Sequence, residues 1–171
     1  MRRALAGSAV AALLLVIAAG PAAALTVTYS LSLDGLQEDP DADLDGTASG
    51  TLTIDDVSGL ISWSLSYANI APPTNMHIHG PNAPPGVTVG VFVGLGVVTS
   101  GGAGTLISSV TTTSANAALI NTTPGDFYVN VHNEQHITGA VRGQLGTIVP
   151  EPGSAALLAA ALAGLALRRA R

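Results

Sequence analysis

Runs of alternating apolar and polar residues fill the middle of this chain, and this period of two limits its fold more than any other feature. Residues 26–33 and 60–67 alternate through their whole length. Shorter runs lie at 51–54, 76–79, 87–93, 105–110, 127–132 and 140–149, punctuated by Asp-Gly, Ser-Gly and Pro-Pro pairs. Because successive side chains of a strand point to opposite faces, the pattern predicts many short strands with one buried face each. The inward residues predicted for the two longest runs are Val27, Tyr29, Leu31, Leu33, Ile61, Trp63, Leu65 and Tyr67.

Many short strands with turn residues between them indicate an all-β fold. We expect an antiparallel Greek-key β-sandwich of the immunoglobulin-like or superoxide-dismutase-like kind. Residues 114–120 are the exception, because Ser114 is a favourable N-cap residue and precedes an Ala-rich stretch. One short helix is therefore predicted.

The first 24 residues have the organisation of a secretory signal peptide. Arg2 and Arg3 precede an apolar run from 4 to 19, and small residues at 22–24 suit signal peptidase. We expect cleavage after Ala24 and export of the remaining chain. An uncleaved N-terminal membrane anchor is the alternative.

Residues 150–171 combine the elements of a second targeting segment. The segment begins with Pro150, Glu151 and Pro152, which interrupt regular secondary structure. An apolar run follows, and the segment ends in a basic cluster of Arg168, Arg169 and Arg171. The order resembles the PEP-CTERM sorting signal of bacterial surface proteins, which implies transient anchoring in the inner membrane by a short transmembrane span, processing by an exosortase and a final location outside the cell or at its surface. The apolar run would rise only about 21 Å as a helix, against about 30 Å for a bilayer core, so a buried helix is the alternative.

Removing both segments leaves residues 25–149, which is one domain of ordinary length. Ten acidic residues and one basic residue, Arg142, give this part a net charge of −9. A nucleic acid partner is disfavoured, since phosphate binding needs clustered Lys and Arg. The chain has no cysteine, so thiol catalysis and Cys-ligated metals are excluded.

Several blocks of this domain together resemble the CHRD domain, a family named for chordin and common in secreted bacterial proteins. They are residues 33–38, residues 50–67, Met-His-Ile-His-Gly-Pro at 76–81, Phe-Tyr-Val-Asn-Val-His at 127–132 and Gly-Ala-Val-Arg-Gly-Gln-Leu at 139–145. The resemblance covers about residues 28–146 and implies a β-sandwich that binds rather than catalyses. One departure is the stretch 133–138, which is longer than the link expected there.

Three histidines are candidates for a transition-metal site. His77 and His79 lie two residues apart on one predicted strand, so their side chains share a face about 6.5–7 Å apart along the chain. His132 ends another strand, on the face opposite to its apolar residues. If these strands are neighbours, three imidazoles converge, and imidazole is a suitable ligand for Cu or Zn.

A purely structural role for the histidines is the alternative. In that case they hydrogen-bond loop carbonyls beneath the turn at residues 80–86, and Arg142 pairs with Asp126 or Glu134. A dismutase-like activity is not expected, because residues 81–130 contain no histidine and the superoxide dismutase family needs a bridging histidine there.

Asp41, Asp43 and Asp45 alternate before Gly46 in an Asp-X-Asp-X-Asp-Gly string. Alternate carboxylates followed by a glycine suit Ca²⁺, which takes six to eight oxygen ligands. The twelfth position of the string is Leu52 rather than glutamate, so no EF-hand is predicted. A simpler Asp-rich calcium loop and a solvated acidic connection between strands remain the two interpretations.

Together these features predict an exported, exosortase-processed CHRD domain protein that binds and does not catalyse. Its expected setting is the cell surface or a biofilm, with an exopolysaccharide or a surface protein as partner. The alternative function is transition-metal binding through the three histidines. No catalytic residue is predicted.

Overall fold

The computed structural model describes residues 25–38, 42–96 and 104–149. Both segments that the sequence assigns to targeting, 1–24 and 150–171, lie outside this range, and so does Asp41. The described residues contain nine strands and one α-helix, and every strand pairing is antiparallel. This confirms a mostly β fold with one short helix.

The strands in chain order are β1 (Thr26–Asp34), β2 (Thr47–Asp55), β3 (Leu60–Ala68), β4 (Pro73–His79), β5 (Val91–Gly94), β6 (Thr105–Thr111), β7 (Tyr128–Asn133), β8 (Val141–Gln144) and β9 (Thr147–Ile148). The helix α1 spans Ser114–Thr122, and single 3₁₀ turns occupy Gly35–Gln37 and Pro124–Asp126. β2 begins before the predicted run, because its first residues are too small to show the alternation. Gly50 lies in this part at φ +154°, where an added Cβ would collide with the backbone of Ser64.

The described strands form one curled sheet in the order β5-β4-β7-β8-β1-β2-β3-β6. β1 pairs with β2 over its whole length, whereas β8 meets β1 only where Asp34 faces Arg142. β9 follows β8 after a short break and pairs with β1 at Tyr29 and Ser30. The last two strands therefore link two halves of the sheet. The division into two facing sheets with Greek-key connections stays a prediction.

The core contains the inward residues predicted for β1 and β3, of which Tyr67 alone is half-buried. α1 packs on this core through the buried Ala117 and Ile120. It is further tied to β1 by Asn121, whose Oδ1 accepts a hydrogen bond of 3.0 Å from the Tyr29 hydroxyl. Burial raises the pKa of that hydroxyl to about 12.

The N-cap of α1 is Thr113 and not Ser114, so this detail of the sequence prediction is wrong. Thr113 has an extended backbone, and its Oγ1 accepts a hydrogen bond of 3.1 Å from the N–H of Asn116. Both residue types cap helices well, and the sequence alone does not show where the helical backbone begins. Among the described residues, no helix is long and apolar enough to cross a membrane. The expected membrane span lies outside them.

Candidate metal centre

β7 is buried on both of its faces. Val129 and Val131 belong to the apolar core. Alternation then places Tyr128, Asn130 and His132 on the opposite face, which is also covered. The fold thus has a second interior beside the core, and this one is lined by polar side chains.

β4 lies beside β7 and contributes His77 and His79 to the polar face. In the antiparallel register, His77 is opposite Asn130 and His79 is opposite Tyr128. One ring nitrogen from each of His77, His79 and His132 lies within 4.8 Å of the other two. This confirms the prediction that the three histidines converge if their strands are neighbours, and this cluster could hold a metal ion.

Loop carbonyls fix two of the three rings. His79 Nδ1 lies 2.8 Å from the carbonyl oxygen of Val89, and His132 Nδ1 lies 3.0 Å from that of Ile137. Because a carbonyl only accepts, each Nδ1 carries a proton and donates a hydrogen bond, and the other ring nitrogen, Nε2, has a free lone pair. Histidines that bind metals commonly make this outward hydrogen bond, and purely structural histidines make it too. The inward nitrogens therefore distinguish the two roles.

The inward Nε2 of His79 is buried and has no hydrogen-bond partner among the described residues. A buried acceptor without a partner costs about 1–3 kcal/mol, which a purely structural role does not explain. His77 Nδ1 lies 2.9 Å from His132 Nε2, which has the lone pair, so His77 is the donor in this contact. The side-chain amide of Asn130 lies 3.0 Å from the same nitrogen of His132, and because that nitrogen accepts, the amide must present its N–H group to it. His132 Nε2 thus lies beside both the His77 ring and the Asn130 amide.

Burial favours the neutral form of His77 and His132. It lowers the pKa of His77 to about 4, with smaller contributions from His132 and then His79. The pKa of His132 is also lowered, chiefly by burial, although its hydrogen bond to the Ile137 carbonyl opposes the effect. Since neutral imidazole is the form that binds metal, His77 and His132 can bind a metal ion at neutral pH without a net loss of protons.

Tyr128 separates His79 from Arg142. The rings of His79 and Tyr128 stack with centroids 4.7 Å apart and planes 3° from parallel. Arg142 Cζ lies 3.4 Å from the Tyr128 centroid, which leaves no room for a second ring on that face. His79 and Arg142 therefore occupy opposite faces of Tyr128, an arrangement that the sequence reasoning missed.

The expected pairing of Arg142 with Asp126 or Glu134 is absent, because no ion pair joins Arg142 to either residue in the described chain. The guanidinium lies over Tyr128 instead. Strand register explains this placement. Arg142 is opposite Asn130, two pairs along β7 and β8 from the Tyr128–Gln144 pair, so Arg142 and Tyr128 share one face of the sheet.

Residues 133–138, the stretch that departs from the family pattern, hold the carbonyl that orients His132. Asn133 is fully buried, and its Oδ1 accepts hydrogen bonds from the N–H groups of Gln135 at 3.0 Å and His136 at 2.7 Å. These bonds fold the chain back so that Ile137 presents its carbonyl to His132. Asn133 is thus a supporting residue that no sequence motif indicated.

The acidic loop is described only in part, because Asp41 lies outside the described residues. Burial and a hydrogen bond with Asp45 raise the pKa of Asp43, and His136 opposes this rise. His136 Nε2 lies 3.9 Å from Asp43 Oδ2. Within the described ranges, the histidine cluster is the only group of three or more His, Cys, Asp or Glu side chains placed to hold a metal ion. The calcium loop therefore stays a prediction.

Comparison with known protein families gives one match. The family model of the CHRD domain matches residues 29–145, which is more than half of the chain. Comparison with curated proteins and with solved structures gives no match. The matched region contains all three clustered histidines, Asn130 and Arg142. The chain therefore belongs to the CHRD domain family.

Proposed function

We propose that this protein is an exported, non-enzymatic CHRD domain protein that binds a transition metal, Cu(II) or Zn(II), through His77, His79 and His132. The observation that carries the proposal is the inward Nε2 of His79. This nitrogen is buried and has no hydrogen-bond partner among the described residues, and His79 belongs to a group of three histidines whose ligand nitrogens lie within 4.8 Å of one another.

The donor set supports Cu or Zn over Ca or Mg. Three neutral nitrogens suit borderline metals, whereas Ca²⁺ and Mg²⁺ prefer oxygen ligands. Zn–N bonds of about 2.0–2.1 Å in a tetrahedral site place the nitrogens about 3.3 Å apart. To bind through Nδ1, His77 would carry its proton on Nε2 instead, and Nδ1 would separate slightly from its present 2.9 Å to His132 Nε2. The wider separations, up to 4.8 Å, would close, and a fourth position is left for water or a bound molecule.

The export and sorting part of the proposal rests on the terminal segments. Signal peptidase would cut after Ala24, and an exosortase would cut near Pro150, Glu151 and Pro152. The protein would then act at the cell surface or in a biofilm, with an exopolysaccharide or a surface protein as partner. The Greek-key sandwich belongs to the same proposal, with β5-β4-β7-β8 facing β6-β3-β2-β1. Deleting residues 150–171 should change the cell fraction that contains the protein, and unchanged fractionation would contradict the sorting role.

Metal content tests the central claim. The protein is purified without affinity histidines, equilibrated with Cu(II) or Zn(II), desalted and analysed by mass spectrometry for bound metal. We expect about one metal ion per wild-type chain and a loss of at least ten-fold in affinity in His77→Ala/His79→Ala. His136→Ala is the matched control, because His136 lies near the cluster in sequence and outside it in space. Equal metal content in the double variant and the wild type would refute the proposal.

A further inference from the structure

Arg142 is the single basic residue of the domain at 25–149, and its side chain is buried. Only 2 % of the residue is exposed. A buried charge is costly unless it is paired, and no described carboxylate lies within ion-pair distance of it. The electrostatics of this position therefore call for an anionic partner.

The contacts that Arg142 makes within the described chain leave most of its donors available. Nη2 donates to the carbonyl of Pro84 at 3.4 Å and to Oε1 of Gln144 at 3.5 Å, and both distances are long. The face of the guanidinium is held by the Tyr128 ring. A guanidinium has five N–H donors, and the described chain provides no acceptor for Nε or Nη1.

A cavity of about 280 Å³ is lined in part by Arg142. Its lining combines polar and apolar side chains, chiefly Arg142, Gln144, Gln37, Glu38, Leu36 and Pro85. Gln144 is fixed, because its Nε2 donates to the carbonyls of Ala83 and Gly125. Its Oε1 is thereby directed towards Arg142. The cavity thus has a polar wall on β8, formed by Arg142 and Gln144.

We propose that this cavity binds a hydroxylated carboxylate of the size of one sugar ring, such as a uronate unit of an acidic saccharide. The planar guanidinium matches a carboxylate with two parallel hydrogen bonds. Gln37 provides a side-chain oxygen acceptor for hydroxyl groups, and Leu36 and Pro85 provide apolar surface for the C–H groups of a ring. The volume falls below the range of about 300–1,000 Å³ that drug-sized ligands need, which favours one ring.

The same lining argues against other anions. A phosphate with two negative charges would face the Glu38 carboxylate, whereas a uronate has one charge at one end and hydroxyl groups elsewhere. A neutral sugar would leave Arg142 without an anionic partner. A uronate would come from the exopolysaccharide partner named in the proposed function, and the source of the ligand rests on that proposal. The cavity chemistry itself needs no metal.

Calorimetric titration of the full protein with glucuronate, in the presence of a chelator, tests the inference. Glucose is the matched neutral control, and inorganic phosphate is the control for charge alone. We expect saturable binding of glucuronate and binding of both controls at least 10-fold weaker, because a hydrogen bond to a charged group contributes about 1.5–3 kcal/mol. Equal binding of glucose or phosphate, or no glucuronate binding, would overturn the inference.

Two variants locate the site. Arg142→Met keeps much of the buried volume, and we expect it to remove the preference for glucuronate over glucose. Glu38→Gln replaces a half-buried charge, and we expect it to tighten glucuronate binding several-fold while glucose binding stays unchanged. The Glu38→Gln measurement decides the question if Arg142→Met does not fold, and an unchanged affinity would count against the cavity.

The histidine variant separates this inference from the metal proposal. His77→Ala/His79→Ala should bind glucuronate as the wild type does. If binding disappears in this variant or in chelator, the carboxylate binds at the metal, and the cavity inference fails while the metal proposal stands. If the variant loses metal and keeps glucuronate, both proposals hold.

Discussion

The histidine cluster and the acidic loop use the same sequence device, ligand side chains two residues apart, but the fold treats them differently. His77 and His79 lie on β4, which is paired on both sides by β5 and β7. Asp43 and Asp45 lie on the connection between β1 and β2. Strand pairing sets the spacing and direction of the histidines, whereas the loop leaves its two described carboxyl groups close to each other. Alternate spacing builds a site where neighbouring strands hold the backbone.

Electrostatics separates the two regions as well. Burial lowers the pKa of His77 and raises the pKa of Asp43, because it disfavours the charged form of each group. For a histidine the neutral form is the metal ligand, so burial prepares the cluster for a metal ion. For an aspartate the charged form is the ligand, so burial opposes calcium binding.

Metal binding should give the largest difference between the two regions. At a free Zn(II) or Cu(II) concentration 1,000 times the dissociation constant, we expect stabilisation by about 4 kcal/mol, or roughly 10–20 °C in Tm. His132→Ala should abolish the shift, and Asp45→Asn should leave it intact. Differential scanning calorimetry measures both. A shift that follows Asp45 and not His132 would reverse the comparison.

Asn133→Ala should show how far the cluster depends on its supporting loop. The change leaves the part-buried N–H groups of Gln135 and His136 without their acceptor, so we expect a loss of about 1–3 kcal/mol in the free energy of unfolding. It also frees the Ile137 carbonyl that orients His132, so metal affinity should fall about 10–100-fold. Urea unfolding and metal titration give the two values. Thr138→Ala, in the same loop but exposed, is the control and should change neither.

In the metal-free protein, acidification should lower the stability contributed by the histidine cluster and raise the stability contributed by the acidic loop. The folded His77 resists protonation until about pH 4, whereas the unfolded chain takes up that proton near pH 6.5. Stability from the cluster is therefore full above about pH 6.5 and decreases between pH 6.5 and 4. The folded Asp43 takes up its proton at a higher pH than the unfolded chain does, so its contribution to stability increases as the pH falls through its raised pKa.

Tm measured against pH separates these contributions. His77→Ala should flatten the loss of stability on acidification, and Asp43→Asn should remove the opposing gain. Identical pH profiles for the wild type and His77→Ala would show that the cluster contributes no such dependence.

Calcium should have the smallest effect. A weak extracellular-type site with a dissociation constant near 1 mM, in about 2 mM Ca²⁺, would stabilise the domain by about 0.6 kcal/mol. Asp43→Asn/Asp45→Asn should remove even this. A calcium shift of Tm equal to the zinc shift would show that the loop, and not the cluster, is the principal cation site.

The sequence predicted the strands and their inward faces because both depend on a local pattern. Tyr29, Ile61 and Trp63 are buried as the period of two requires. The sequence could predict that the histidines converge only if β4 and β7 are neighbours, and that neighbourhood is set by pairing across about 50 to 60 residues. Once β4 and β7 are known to be neighbours, strand geometry accounts for the spacing of the three imidazole rings.

The remaining features of the site depend on contacts that no local pattern encodes. The lone pair of His79 is defined by the carbonyl of Val89, and Asn133 acts through the backbone that it folds. The position of Arg142 over Tyr128 depends on the register of β7 and β8. These residues have ordinary surroundings in the sequence, so only the assembled fold reveals their roles.

The pairing of β1 with β8 also determines when the sites come into existence. Asp34 faces Arg142 across 108 positions of the chain, and contacts of such sequence separation make folding slow, on the order of milliseconds to seconds. During that time the edge of β1 has no partner on this side. Arg142 takes its place only when β8 pairs, and the loop at residues 133–138 that orients His132 lies just before β8 in the chain. Neither the histidine cluster nor the cavity can be complete before β7 and the strands that follow it are in place.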